Sequence, residues 1–291
     1  IVVSEMEHHS NLVPWQIVAE RKGATLRMLP FDDEGRLMTE CLDTLIDSRT
    51  RMVAVTQASN TLGTRPDLKP VIERAHAAGA LVTVDGCQGV VHGGVDVSAL
   101  GCDFYAFSGH KLYGPTGIGV LYGRRELLEA MPPFLCGGAM VDRVSFAGTT
   151  YAPLPLKFEA GTANFVGAIG LGEAVKYVQS LNAAEIEAYE RSLTDYATEA
   201  LGAIDGLRIY GTTEGKSPIL SFNVEGVHHY DMGMILDKLG VAVRTGHHCA
   251  EPVMDHYGVT GMCRASLAMY NTRKEIDALC EGVRRAVRML R

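Results

Sequence analysis

The chain alternates between short apolar segments and longer amphipathic segments for most of its length. Short runs rich in β-branched residues are typical of buried strands, whereas apolar positions three and four residues apart are typical of helices. Their alternation predicts βαβ units around a mostly parallel sheet, an α/β fold. The strands predicted in the first half of the chain are Ile1–Ser4, Ala24–Leu29, Met52–Thr56, Ala80–Asp85, Phe104–Ser108 and Gly119–Tyr122.

Amphipathic segments between these strands predict the connecting helices, which are Leu12–Arg21, Thr39–Asp47, Leu68–Ala78 and Glu126–Met131. The pattern then changes, because two long helices are followed by short strands and a last helix. These later elements are the helices Gly167–Leu181, Glu185–Ile204, Asp231–Leu239 and Arg273–Leu290, and the strands Arg208–Tyr210, Ile219–Asn223 and Ala242–Thr245. The change predicts a large α/β domain over residues 1–176 and a smaller α+β domain over residues 177–291.

Composition and charge exclude several classes of protein. The chain has 27 Lys and Arg against 34 Asp and Glu, a net charge of −7, which argues against a nucleic-acid surface. No apolar run reaches the roughly 18–20 residues of a membrane span. Seven cysteines without regular spacing argue against a disulfide framework and favour the reducing cytoplasm. Because Ile1 opens what reads as a strand already under way, we expect an earlier part of the protein to be missing.

Two residues that follow apolar strands favour a cofactor site. Asp85 and Lys111 lie 26 residues apart, and ligands of open α/β sheets bind at the carboxyl ends of strands. Taken separately, they also fit a turn-capping carboxylate and a surface lysine. Together they suit pyridoxal phosphate, which needs a lysine for its aldehyde and a carboxylate for its ring nitrogen. Ser108 and His110 could bind its phosphate. The glycine-rich turn Tyr113–Gly119 has the wrong order for a dinucleotide fingerprint.

A polar segment near the C-terminus is open to three interpretations. Arg244 is followed closely by His247, His248 and Cys249, and these last three are acceptable zinc ligands together with Cys263. Alternatively, the nearby Arg and His favour a reactive thiolate at Cys249. The third possibility is an inert, half-buried cysteine.

Two further side chains suit the binding of an amino acid and a planar cofactor. His8 and His9 follow the first predicted strand, and one of them could stack on a ring, although adjacent histidines also occur as caps or surface pairs. Arg264 lies in an apolar stretch of small residues, where its guanidinium could bind a substrate carboxylate or a structural one.

Several segments together resemble the group II, or Suf-type, cysteine desulfurases of the class V aminotransferase superfamily, which have pyridoxal phosphate fold type I. The resemblance covers essentially the whole chain, and Arg244–Ala250 is the segment that separates group II from group I. The matching segments are Met6–Asn11, Val84–Gln88, Phe107–Gly117, Arg244–Ala250 and Cys263–Ser266.

This resemblance implies how the cofactor is held. Lys111 would bind pyridoxal phosphate covalently and later move protons at the substrate Cα. Asp85 would pair with the pyridine nitrogen, and Gln88 would contact the ring oxygen. Ser108 and His110 would bind the phosphate. The family's N-terminal part, which we expect to be missing here, carries a helix-start loop that also contacts the phosphate.

The resemblance also implies the substrate site and the reaction. His8 would stack on the cofactor ring and act as acid and base. Asn60 and Arg264 would hold the substrate carboxylate, with Arg244 close by. Cys249 would be the nucleophile that takes sulfur from L-cysteine as a persulfide and leaves L-alanine.

Partners follow from the same resemblance. Thr162 matches a residue that reaches the phosphate of a second protomer, so a homodimer is implied. A small sulfur-acceptor protein of iron–sulfur cluster assembly would take the persulfide sulfur. His228–Asp231 could lie near that acceptor, or could cap a helix.

Three alternative functions stay open. A selenocysteine lyase would use the same cofactor chemistry, and a class V transaminase or epimerase would need no thiol. An inactive scaffold for a sulfur-acceptor protein would keep the fold without the reaction.

Overall fold

The computed structural model describes every residue from Ile1 to Arg291. It contains twelve strands and ten α-helices. The strands are β1 (Val2–Ser4), β2 (Arg27–Leu29), β3 (Met52–Thr56), β4 (Leu81–Asp85), β5 (Phe104–Ser108), β6 (Gly119–Gly123), β7 (Val141–Ser145), β8 (Gly148–Tyr151), β9 (Leu207–Tyr210), β10 (Ile219–Val224), β11 (Arg244–Gly246) and β12 (Met262–Ser266). The helices are α1 (Val13–Lys22), α2 (Leu42–Leu45), α3 (Lys69–Ala77), α4 (Val97–Leu100), α5 (Arg125–Ala130), α6 (Phe165–Gln179), α7 (Ala183–Gly202), α8 (His229–Lys238), α9 (Glu251–Tyr257) and α10 (Arg273–Leu290).

The first sheet has six strands in the order β2-β1-β3-β4-β5-β6, and only β6 runs antiparallel to its neighbour. The prediction of a mostly parallel sheet is therefore confirmed. Its central strands are buried because both faces are covered, and Val53, Val55, Val82 and Val84 are fully buried. All the parallel strands end at one edge of the sheet, where crossover connections place the following loops.

The second sheet has four antiparallel strands in the order β11-β12-β10-β9. Helices α7, α8 and α10 pack beside it around a second buried cluster that includes Leu193, Phe222 and Val283. The boundary predicted at residue 176 falls inside α6. The division into domains 1–176 and 177–291 stays a prediction, and the first core also includes Val253 and Met262 from the later part.

The fold differs from the pattern-based prediction in several places, including the strand β12 and the one-turn helix α4, neither of which was predicted. The helix expected over Thr39–Asp47 is a 3₁₀ turn at Thr39–Cys41 followed by the single turn α2. The hairpin β7–β8 and the helix α9 were not predicted. Most of the hairpin is exposed, so its strands lack the alternation that burial imposes. Helix α9 has only seven residues, too few to show a helical period.

None of the helices combines the length and the apolar character that crossing a membrane requires.

Candidate active site

Three chemically different side chains lie at the carboxyl ends of neighbouring parallel strands. His8 follows β1, Asp85 is the last residue of β4, and Lys111 lies in the 3₁₀ turn Gly109–Leu112 directly after β5. The Oδ1 atom of Asp85 accepts a hydrogen bond from the backbone N–H of Cys87 at 2.9 Å, which fixes its carboxylate. Strand ends at this edge are where open α/β sheets bind their ligands.

These groups lie near enough for their charges to act on one another. Burial lowers the pKa of His8, and the positive charge of Lys111 lowers it further while Asp85 opposes the change. Burial and then Asp85 raise the pKa of the Cys87 thiol, which Lys111 counteracts. His8 uses Nδ1 to accept a hydrogen bond from Ser10 N–H at 3.1 Å. Its Nε2 is therefore the nitrogen left to exchange a proton.

A buried carboxyl group, which the sequence interpretation missed, lies directly before His8. Glu7 accepts hydrogen bonds from the Ser4 hydroxyl, from Asn11 Nδ2 at 2.6 Å and from Thr56 N–H at 2.7 Å. Burial is the largest influence and raises the pKa of Glu7 to about 8. This group connects β1 with β3 beneath the histidine. An acidic residue so soon after an apolar strand was the signal that could have revealed it.

Cys249 lies in a loop between β11 and α9 whose backbone is strained. His248 and Cys249 have φ angles of 55° and 56°, a left-handed conformation that residues other than glycine rarely adopt. Hydrogen bonds from the N-terminal part of the chain hold the loop. Asn60 Nδ2 donates to the His248 carbonyl at 2.7 Å, and His9 N–H donates to the Cys249 carbonyl at 2.7 Å.

The imidazole of His248 is buried and serves the loop rather than a metal. Its Nε2 lies 3.0 Å from the Met262 carbonyl, to which it donates as a neutral ring. Burial, followed by the nearby charge of Arg264, lowers the pKa of His248 to about 3, so the ring stays neutral at physiological pH. The structure contains no group of three or more His, Cys, Asp or Glu side chains placed to hold a metal ion.

Two arginines face each other beside this loop. Arg264 on β12 pairs directly with Arg244 on β11. One Arg264 nitrogen, Nη1, donates to the Asn60 carbonyl at 2.6 Å, while its buried Nε has no partner. Burial and the like charge of Arg244 lower the pKa of Arg264 to about 10. A half-buried guanidinium with donors to spare suits an anionic ligand such as a carboxylate.

The thiol loop and the strand-end cluster form one site. The Nη2 atom of Arg244 lies 3.7 Å from the Cys249 sulfur, and its charge also lowers the pKa of His8. The negative charge that Cys249 can carry in turn opposes the lowering of the Arg264 pKa. The structure therefore brings together His8, Asn60, Asp85, Lys111, Arg244, Cys249 and Arg264.

Four of the predicted site residues have fewer contacts with this cluster of side chains. The Ser108 hydroxyl lies 3.9 Å from the Cys87 sulfur, within the site. Gln88 lies in the turn three residues after Asp85. His110 and Thr162 are exposed, and the structure leaves their predicted roles untested.

The donor set fits pyridoxal phosphate with a bound amino acid. It supplies a carboxylate for a ring nitrogen, an amine for an aldehyde, an imidazole beside them, and an unpaired guanidinium for a substrate carboxylate. Side chains of this kind at the strand ends of a mostly parallel sheet define an enzyme of the pyridoxal phosphate class.

Comparison with known proteins agrees with this class. Residues 1–279 match the family described as aminotransferase class-V, and the chain belongs to that family, whose members depend on pyridoxal phosphate. It is 54% identical to a cysteine desulfurase of Dickeya dadantii (strain 3937) over 291 residues, all of this chain and 70% of the relative.

Solved structures show the same likeness. The cysteine desulfurase CsdA of Escherichia coli, in its S-sulfonic acid form, superposes with a TM-score of 0.96 at 48% identity, covering 100% of this chain and 72% of the other. The apo cysteine desulfurase of Thermococcus onnurineus NA1 gives a TM-score of 0.95 at 38% identity, covering 99% and 72%. These similarities confirm fold type I as the architecture.

Proposed function

We propose that this protein is a cysteine desulfurase that converts L-cysteine to L-alanine and holds the sulfur as a persulfide on Cys249. The main support for the proposal is the position of the Cys249 thiol. It lies beside Arg244 in the same site as Asp85 and Lys111, although it is 138 residues after the lysine. A transaminase needs the carboxylate and the lysine but has no use for the thiol.

The cofactor-holding roles in this proposal are those that the resemblance implies, and the positions of Asp85 and Lys111 at the strand ends support them. Asp85 would pair with the ring nitrogen, Lys111 would bind the aldehyde, Gln88 would contact the ring oxygen, and Ser108 and His110 would bind the phosphate. When bound, pyridoxal phosphate supplies the electron sink that allows the Cα proton of an amino acid to leave.

The remaining side chains bind the substrate and move its protons. Arg264 would offer its guanidinium to the substrate carboxylate, and Asn60 would offer the amide hydrogen that it does not donate to the His248 carbonyl. Lys111 would move the proton at the substrate Cα, and His8, whose pKa burial lowers, would be available beside it to exchange a proton.

Sulfur transfer is a displacement at the substrate sulfur. The Cys249 sulfur forms an S–S bond as the Cβ–S bond of the substrate breaks, and the electron pair of that bond stays with carbon. Protons returned to carbon complete L-alanine, so L-cysteine and the enzyme thiol give L-alanine and the enzyme persulfide. The Arg244 guanidinium, whose Nη2 lies 3.7 Å from the Cys249 sulfur, stabilises the thiolate that makes this attack.

A homodimer is part of the proposal. An apolar groove of about 840 Å³ lies beside the edge strand β6, lined in part by Leu121, Phe134, Leu135 and Phe158. Phe134 is 89% exposed, and large exposed apolar surfaces mark protein interfaces. Thr162 lies in the chain just after this region and is exposed, as its predicted reach into a second protomer requires. Light scattering of the wild type and of Phe134→Asp tests the dimer, which the variant should weaken.

A small sulfur-acceptor protein of iron–sulfur cluster assembly is the proposed recipient of the persulfide sulfur. Membership of group II rests on the resemblance of Arg244–Ala250. His228 caps α8, since its ring accepts a hydrogen bond from Tyr230 N–H at 3.3 Å, and this supports the cap interpretation of that segment. All seven cysteines are free thiols, in keeping with the cytoplasmic location that we propose.

One experiment separates the candidate functions. The purified protein is examined for cofactor absorbance in the visible range, then given L-cysteine and a thiol reductant while sulfide and alanine are measured. We expect Cys249→Ala to keep the absorbance and lose sulfide release, and Lys111→Ala to lose the absorbance of the lysine-bound cofactor. Cys136→Ser, which changes an exposed thiol outside the site, should retain activity.

Each competing function predicts a different result. Undiminished desulfuration by Cys249→Ala would refute the nucleophile. Selenide release that survives in Cys249→Ala would favour a selenocysteine lyase. Keto acid without sulfide would favour a transaminase, and a colourless protein that still binds a sulfur acceptor would favour a scaffold.

A further inference from the structure

His9 makes two hydrogen bonds to the loop that carries the reactive cysteine. Its backbone N–H donates to the Cys249 carbonyl at 2.7 Å. Its side-chain Nε2 accepts from the backbone N–H of Glu251 at 3.0 Å. One histidine thus contacts the residue that carries the thiol and the residue two positions later, at the start of α9.

The loop needs such contacts because its backbone is in an unfavourable conformation. His248 and Cys249 are two consecutive left-handed residues without a glycine, and such conformations persist only where the surroundings impose them. His248 is held by Asn60 and by the Met262 carbonyl. The side of the loop that follows the thiol is held by His9.

The Glu251 N–H has no acceptor within its own helix, since the first N–H groups of any helix lack one. The imidazole of His9 supplies that acceptor from a distant part of the chain. Because Nε2 accepts, the proton of the neutral ring resides on Nδ1.

We propose that His9 is a positioning residue for the sulfur-transfer step, a role that rests on the proposed function of Cys249. It fastens the thiol loop to the 3₁₀ turn His9–Asn11, whose cap is His8. His8, which would face the cofactor, and Cys249, which would receive the sulfur, are thereby held in a fixed position relative to each other. A small displacement of the sulfur then slows its attack without changing how the amino acid is bound.

The test compares His9→Ala with His9→Gln in the cofactor-loaded enzyme. Glutamine places an acceptor oxygen near the position of Nε2, whereas alanine supplies none. The matched control is Asn182→Ala, which removes a side-chain acceptor from the N-terminus of α7, far along the chain and outside the loop. Three quantities are measured: KM for L-cysteine, the single-turnover rate of persulfide formation, and the iodoacetamide labelling of Cys249 relative to exposed Cys136.

We expect His9→Ala to lower the persulfide rate about tenfold with KM changed less than about twofold, because a misplaced nucleophile loses rate rather than binding. The backbone hydrogen bond to Cys249 survives this substitution, which limits the loss. His9→Gln should recover to within about threefold of the wild type. In His9→Ala, labelling of Cys249 relative to Cys136 should fall about threefold as the sulfur leaves Arg244.

The proposal is overturned if His9→Ala forms persulfide at the wild-type rate. It is also overturned if His9→Gln is as slow as His9→Ala, or if Asn182→Ala is equally slow, since the effect would then be general. Labelling separates this proposal from the proposed function. A wild type that forms no persulfide would refute the function, while a changed Cys249 to Cys136 labelling ratio would still support the contact of His9 with the loop.

Discussion

The buried carboxyl group of Glu7 gives the protein a specific dependence of stability on pH. Burial holds the pKa of Glu7 at about 8, against an ordinary value of 4.5, so the folded state keeps a proton that the unfolded state releases. Stability from this group is complete below about pH 4.5 and is lost as the pH rises through about 8. The substitution that tests this is Glu7→Gln, which keeps the shape of the side chain but removes its ionisable carboxyl group.

The size of the effect follows from the width of the pH window. Each pH unit in which only the folded state holds the proton changes the free energy of unfolding by up to about 1.4 kcal/mol. Between pH 6.5 and 8 this gives a loss of about 2 kcal/mol in the wild type. His248 works in the opposite direction, because its folded pKa of about 3 lies below its ordinary value of 6.5. The unfolded ring is half protonated at pH 6.5 and loses its proton by pH 8, but this small gain in stability is the same in the wild type and in Glu7→Gln.

Urea denaturation of the wild type and of Glu7→Gln at several pH values between 6.5 and 8 tests this prediction. The wild type should lose about 2 kcal/mol relative to Glu7→Gln over that range. Glu20→Gln, which changes an exposed carboxylate, should follow the wild type. Parallel curves for the wild type and Glu7→Gln would refute the reasoning, since they would mean that Glu7 is ionised in the folded protein.

Three further substitutions test packing, capping and binding. A Cβ at Gly86 would lie 1.9 Å from Tyr105 Cζ, so Gly86→Ala should lower the free energy of unfolding by about 2 kcal/mol or more in the same urea assay. The control is Gly172→Ala, because a Cβ at this position in α6 meets open space. It should be neutral or stabilise the protein by up to about 1 kcal/mol. Thr272→Ala removes the capping box of α10 and should cost about 1 kcal/mol; an unchanged urea midpoint would show that the cap contributes nothing. Arg264→Lys loses the paired geometry of the guanidinium and should raise KM for L-cysteine about tenfold or more with a smaller change in kcat; an unchanged KM would place the substrate carboxylate elsewhere.

Local sequence patterns were sufficient to predict the strands and helices whose pattern of apolar residues is long or pronounced. β3, β5 and α10 have the predicted bounds, because buried parallel strands read as apolar runs and α10 has a continuous apolar face beside a polar one. β12 was described in the sequence only as an apolar stretch around Arg264. When both faces of a strand are buried, apolar and polar residues do not alternate along its sequence. The sequence pattern therefore could not show that this stretch is a strand, which is decided by its pairing with β10 and β11.

The sequence identified most of the residues that share the site but gave less about how they are held. Asp85 and Lys111 were predictable because each follows an apolar strand of one parallel sheet. The hydrogen bonds of His9 to Cys249 and Glu251 were not, since they join segments about 240 residues apart. Nothing local to His9 distinguishes it from a surface histidine.

By itself, the sequence determined the alternation of strands and helices, the chemistry available at the strand ends and the presence of a candidate thiol. Those properties depend on residue type and on short-range spacing, which the chain carries everywhere. Only the tertiary structure decided that the thiol loop lies over the strand ends, that Arg264 is left with an unpaired donor, and that Glu7 is buried enough to keep its proton. Those properties depend on distance and desolvation, which arise only when remote segments pack together.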